Sequence, residues 1–180
     1  EDDEFDLCIS NIPFGDLLVF DNQDKELNKH KLRIHDYFFL KALKKVRPGG
    51  IVAFVTSAGF MDKNDSKARQ ILSKECELLG VIRLPNTTFI GTNVVADIVF
   101  LRKTSEPKCR KWNAVKGLKQ FDEKFGINEF LYAAPELIVG TLAITSTQFG
   151  EGLTVNGVAL DDESFKKYLK YLPSSVYIQR

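Results

Sequence analysis

Two short apolar runs enclose a helical segment, and that arrangement limits the possible folds more than any other feature of the chain. FDLCIS (residues 5–10) and IVAFVT (residues 51–56) read as strands buried on both faces, as at the centre of a parallel sheet. Between them, residues 34–46 (IHDYFFLKALKKV) repeat apolar side chains at helical spacing. Ile34, Phe38, Leu40, Ala42 and Val46 face inward, and Lys41, Lys44 and Lys45 face outward. Lysines in the last turn suit the helix dipole, and Arg47-Pro48-Gly49-Gly50 stops the helix. Strand, helix and strand at these lengths form a right-handed parallel crossover.

Residues 66–79 (SKARQILSKECELL) continue the pattern as a second helix, with Ala68, Ile71, Leu72 and Leu78 or Leu79 inward and Cys76 within it. Strands follow at residues 81–85 and 94–102. Too few residues separate them for a crossover helix, so they pair antiparallel. Beyond Arg102 the chain turns polar. Lys103, Lys108, Arg110, Lys111, Lys116 and Lys119 surround Trp112 there, as a phosphate-contacting strip or as a solvated loop with one anchoring ring. A short helix over 128–134, a hairpin or strap from 141–147 and 152–158, and an acid-capped helix over 161–172 complete the reading. In the last helix Phe165, Leu169 and Leu172 form a core stripe. The fold class is α/β: parallel strands ending in an antiparallel hairpin, helices packed on the sheet, and a mixed C-terminal extension.

With 180 residues and 44% hydrophobic content the chain can build one core of ordinary size. A net charge of +1 supplies no global basic field, so any nucleic-acid contact must be local. No apolar run reaches membrane-spanning length and no signal peptide is visible, so a cytoplasmic protein without a membrane partner is expected. Cys8, Cys76 and Cys109 are odd in number and unpaired in spacing, which suits free thiols. His30 and His35 have no acidic or cysteine partner at ligand spacing, so no metal is expected; the segment from His35 to Phe39 is read as packing its helix on the sheet. The first residue is Glu1, already on the approach to a strand, and the chain is read as a piece of a longer protein.

The first strand runs into Asn11-Ile12-Pro13-Phe14-Gly15, at the carboxyl end where open α/β sheets place their ligands. Asn-x-Pro alone is ordinary turn chemistry. The large ring at the tip is not something a turn needs. FDLCISNIPFG resembles the Asn-Pro-Pro-Tyr/Phe motif of S-adenosylmethionine-dependent amino-methyltransferases, above all the adenine-specific DNA methyltransferases. The resemblance implies catalytic roles for Asn11, Ile12, Pro13 and Phe14. The Asn11 amide oxygen and the Ile12 carbonyl accept the two hydrogens of an exocyclic amine, favouring its sp³-like form during attack. Pro13 fixes the backbone, and Phe14 stacks on a base taken out of the duplex, worth about 1–3 kcal/mol.

HDYFFLKALKKVRPGGIVAFVTS, ARQILSKECELLGVIRLPNTTF and TNVVADIVFLRK are similar to the same family in the same order. They look like the modification subunits of type I restriction systems, and more closely like the large helicase–methyltransferase proteins of phages, plasmids and conjugative elements. That subgroup often carries Asn-Val/Ile-Pro-Phe-Gly, which makes Ile12 normal. The resemblance covers residues 1–104. It is fainter beyond, at Asn128-Glu129-Phe130, Pro135-Glu136, Gly140 and Thr147-Gln148-Phe149-Gly150.

It implies the C-terminal half of a Rossmann-like methyltransferase sheet in residues 1–104 and a linker toward a following domain in 105–180. The family's glycine-rich cofactor loop precedes the Asn-x-Pro-Phe motif, and only ten residues precede Asn11 here. Pro48-Gly49-Gly50 follows a helix and precedes a strand, the reverse of a nucleotide cradle. S-adenosyl-L-methionine is therefore expected to bind the parent protein, and this segment weakly or not at all, with Asn11, Pro13 and Phe14 touching at most its methionine end. The implied partners are DNA, a helicase domain in the same parent chain, and a second copy at the sheet edge left open. The same motif serves methyl transfer to an RNA base or a protein glutamine, and a non-catalytic scaffold is the remaining alternative.

Overall fold

The crossover forms where the apolar runs place it. β1 (Phe5–Asn11) lies parallel to β2 (Val46–Ser57), and the connection carries the single turn α1 (Lys25–Asn28) and the longer α2 (Ile34–Lys45). The computed structural model describes residues 2–107, 111–121, 123–147 and 150–173; Lys108, Cys109, Arg110, Gln148 and Phe149 of the sequence reading lie outside them. After β2 come α3 (Gly59–Asp62), α4 (Lys67–Leu72), β3 (Cys76–Arg83) and β4 (Ala96–Lys103). The sheet order is β1-β2-β4-β3, with β4 antiparallel to both neighbours.

Three expectations change. First, β1 is an edge strand and is not buried: Phe5 and Leu7 are half exposed, and Ile9 is 72% exposed. Its sequence suits a central strand, but among the described residues only β2 pairs with it. Second, Cys76 opens β3 and is not helical. All eight residues of CELLGVIR are buried, which a strand covered on both faces allows and a single helical stripe does not. α4 accordingly stops at Leu72. Third, α2 is rotated by about one residue from the face read in the sequence. Phe39, Leu40, Ala42 and Leu43 are buried, and Phe38 only partly. Phe39 stacks on Phe60 at 4.0 Å between ring centroids and also meets Phe54 at 5.1 Å. At the β1–β2 start, a side chain at Gly50 would come within 3.0 Å of the Phe5 carbonyl, so glycine permits this close approach.

The remaining elements join the same core. β5 (Val115–Gly117) and β6 (Gly126–Asn128) form a small hairpin, followed by α5 (Glu129–Ala133). β7 (Thr141–Thr147) pairs with β8 (Gly150–Asn156), and α6 (Asp162–Leu169) is capped by Asp161. Trp112, Ile127, Leu131, Leu137 and Val139 are buried with the sheet residues. The outer side of β3 is covered: Val139 donates its amide to the Arg83 carbonyl (2.8 Å), and Leu172 sits where a side chain on Gly80 would be.

Charge sets the junction between sheet and hairpin. Arg83 is fully buried and grips Asp97 through Nε and Nη2, both at 2.8 Å, while Nη1 donates to Asp62 at 2.5 Å. Burial works to lower the guanidinium pKa, but the two carboxylates outweigh it and hold Arg83 raised. Asp62 also accepts the Asn128 amide (2.8 Å), and the Asn128 side chain donates to the carbonyls of Met61 and Trp112. Arg69, buried, donates to the carbonyls of Phe60, Lys63 and Asn113.

Removing one partner of such a pair leaves a charge buried alone. Asp97→Ala is expected to lower the unfolding free energy by about 3–5 kcal/mol in urea titrations, and the Arg83→Met, Asp97→Leu pair to lower it less. Equal losses in both would show that the ion pair is not what the site depends on.

Candidate functional site

β1 ends at Asn11, in register with Val55 of β2. The next residue is turned the other way. Ile12 donates its amide to the Val55 carbonyl (3.0 Å) and buries its side chain to 2% exposure. That anchor leaves Asn11 and Pro13 exposed on either side. Phe14, 37% exposed, sets its ring edge-on to Phe89, with centroids 5.6 Å apart and planes at 84°. Such a pair is worth about 0.5–1.5 kcal/mol beyond the area it buries. Phe89 belongs to the 84–95 loop, and Arg83 and Asp97 pair just outside the ends of that loop. A strand exit thus carries an exposed amide, an anchored residue with its carbonyl, a rigid proline and a braced ring. Chemically these groups can accept two hydrogens and offer an apolar face to a planar group.

The loop after the motif folds back on α2. Asp21 accepts from Tyr37 and Lys41, both at 2.8 Å, and these bonds hold its carboxyl well below the ordinary range. Leu17, Leu18 and Phe20 nevertheless remain exposed beside the motif.

His35 and Asp36, in the first turn of α2, are buried. The His35 ring meets Phe60 edge-on at 6.3 Å, and its Nε2 lies 3.5 Å from Lys63 Nζ, while Lys63 pairs with Asp36. Burial lowers the His35 pKa against the pull of Asp36, and Lys63 and Arg33 lower it further. Among the described residues no group of three His, Cys, Asp or Glu side chains is set to hold a metal. Cys8 and Cys76 are free, and burial pushes the Cys76 thiol up to about 12.

Of the basic strip read after Arg102, Lys111 and Lys116 line one cleft with Phe130 and Tyr132, and Lys108 and Arg110 lie outside the described residues. Trp112 is buried, and Lys103 donates to Asp3 and to the Leu43 carbonyl. Lys111, Lys116 and Lys119 remain exposed. Phe89 is the partner that sequence reasoning missed, since one aromatic in a polar loop carries no periodic signal.

The sequence of residues 1–128 matches the family model described as N-6 DNA methylase. Over 104 residues the chain is 35% identical to "Defense against restriction protein B" of Escherichia phage P1, covering 56% of this chain and 5% of that protein. Two solved structures share the fold. One is a chain of a type I restriction–modification system (TM-score 0.50, 21% identity, 59% of this chain and 23% of that one). The other is described as a class I S-adenosylmethionine-dependent methyltransferase from Listeria monocytogenes (TM-score 0.50, 23% identity, 60% and 35%). The chain therefore spans a small part of each relative. No helix among the described residues is long and apolar enough to cross a membrane.

Burial holds the His35 pKa in the fold below its unfolded value, so protonation favours the unfolded chain. The His35 contribution is therefore present above the unfolded value near 6.5 and lost as pH falls below it, by up to about 1.4 kcal/mol per pH unit. Denaturation between pH 7 and 5 should show this slope, and His35→Leu should flatten it. An unchanged slope in the variant would assign the acid sensitivity elsewhere.

Proposed function

Because the chain belongs to the N-6 DNA methylase family, we propose that residues 1–104 are the catalytic half of an enzyme methylating the exocyclic amine of adenine in DNA. Residues 105–180 are the extension, of which Trp112, Ile127, Leu131, Leu137 and Val139 pack into the same core. The observation that carries this reading is the Ile12 anchor, which leaves Asn11 and Phe14 at the surface on either side of a backbone carbonyl. The adenine nitrogen is a poor nucleophile because its lone pair is delocalised into the ring. Asn11 Oδ1 and the Ile12 carbonyl would accept its two hydrogens and favour the pyramidal nitrogen that attacks. Phe14, braced by Phe89, would stack on the extruded base.

S-adenosylmethionine, when bound, supplies the electrophilic methyl group. This chain fits only part of it. Asn11 and Pro13 are exposed where the methionine end would lie, and Gly49 and Gly50 lie within strand β2 and not in a loop between a strand and a helix. We place the rest of the cofactor site in a segment outside this chain that pairs with β1. The unpaired edge and the exposed Phe5, Leu7 and Ile9 support that placement, as does the small share of each relative that the chain covers.

In the longer protein, Asn11→Ala should reduce 6-methyladenine formation on plasmid DNA by about 10²–10³-fold. Its thermal midpoint should stay unchanged, because Asn11 is exposed. Normal turnover in that variant would remove the assigned role. For the 180-residue chain alone, sedimentation should show concentration-dependent self-association that Ile9→Lys reduces; an unaltered association would mean that β1 is not the contact.

A further inference from the structure

A cleft of about 390 Å³ opens at the same end of the sheet, between the first turn of α2 and the start of α4. Its wall includes Asp16, two residues past Phe14, and Gly59, just beyond β2. Four cationic side chains also line it: Lys31, Arg33, Lys63 and Lys67. Two are matched by acids, Arg33 by Asp16 and Lys63 by Asp36. The other two are not. Lys67 Nζ donates to the His30 carbonyl (3.1 Å), and Lys31 has no side-chain partner among the described residues. Asp65 accepts the Lys67 backbone amide at 3.1 Å and partly offsets the local charge.

The helix end adds donors. Arg33 occupies the N-cap of α2 without supplying a side-chain acceptor, and the amides of His35 and Asp36 have no hydrogen-bond partner among the described residues. His35, 7% exposed, lines the cleft with its Nδ1 unpartnered. A helix of 12 residues presents unpaired N–H groups and positive dipole at this end, which favours an anion. Phosphate oxygens accept from amides, imidazole and ammonium alike, so one such group would satisfy donors the protein leaves open.

We infer that this cleft holds a backbone phosphate of the DNA strand next to the target base. A contact of this kind positions the strand and carries no sequence information. Which nucleotide the phosphate adjoins rests on reading the Asn11–Phe14 turn as the base-holding site; the donors in the cleft do not.

Binding of a fluorescein-labelled DNA duplex to the 180-residue chain, followed by anisotropy across a salt series, tests the assignment. The Lys31→Ala, Lys67→Ala double variant should bind about tenfold more weakly at low salt and lose roughly one to two from the salt slope, with Lys67→Arg largely restored. Inorganic phosphate titrated into the labelled chain should shift the His35 and Asp36 amide resonances, and less so in the double variant. Unchanged affinity and slope, or amides that phosphate leaves unmoved, would overturn the inference. So would lysine dependence seen with an RNA duplex and not with DNA. If the lysines govern DNA affinity while Asn11→Ala leaves methyl transfer intact, the cleft stands and only the reading of the turn falls.

Discussion

An arginine with no route to water joins the two halves of the architecture. Arg83 and Asp97 close the neck of the 84–95 loop, and Asp62 links them to Asn128, so the sheet, α3 and the following hairpin meet on one charged cluster. Burying these groups is costly, and their mutual attraction only offsets that cost when every donor is matched. Here the guanidinium donates from all three nitrogens, and the Asn128 amide donates to the second Asp62 oxygen. The geometry leaves little freedom in where the loop departs and returns. That is how a structural ion pair reaches the surface site: it fixes the loop whose Phe89 braces Phe14.

The site follows from a reversal of burial at one residue. Along β1 the side chains are exposed or half exposed, and then Ile12 enters the core while its amide extends the pairing with β2 by one bond. The Ile12 side chain thus serves as the anchor of the turn. The groups proposed to hold the amine sit on a backbone fixed by packing and a hydrogen bond, which is what electrostatic preorganisation requires. The cleft at the start of α2 lies beyond the same strand ends, so a strand of DNA could engage both.

Local periodicity made much of this legible. The crossover, the antiparallel β3–β4 pair, the short helix after Asn128 and the Asp161 cap all depend on residues close in sequence. Misreadings arose where the deciding partner is distant. SKARQILSKECELL fits a helix as well as a strand until one knows that CELLGVIR is covered on both faces. β1 carries the composition of a central strand, and only its lack of a second neighbour leaves it exposed. A lone charge inside each of the apolar runs VIRL and ADIV was a usable signal for the Arg83–Asp97 pair. The turn itself was recognisable from its residue types, while its brace, Phe89, lies 75 residues away and could be found only in three dimensions.

The central claim is that the turn after β1 grips an adenine amine. A crystal structure of this chain together with the segment proposed to pair with β1, bound to a duplex carrying the target adenine and an unreactive cofactor analogue, tests it most directly. The account predicts the amine nitrogen about 2.6–3.2 Å from both Asn11 Oδ1 and the Ile12 carbonyl, with the base against Phe14. An amine held by other groups, with Asn11 facing solvent, contradicts it.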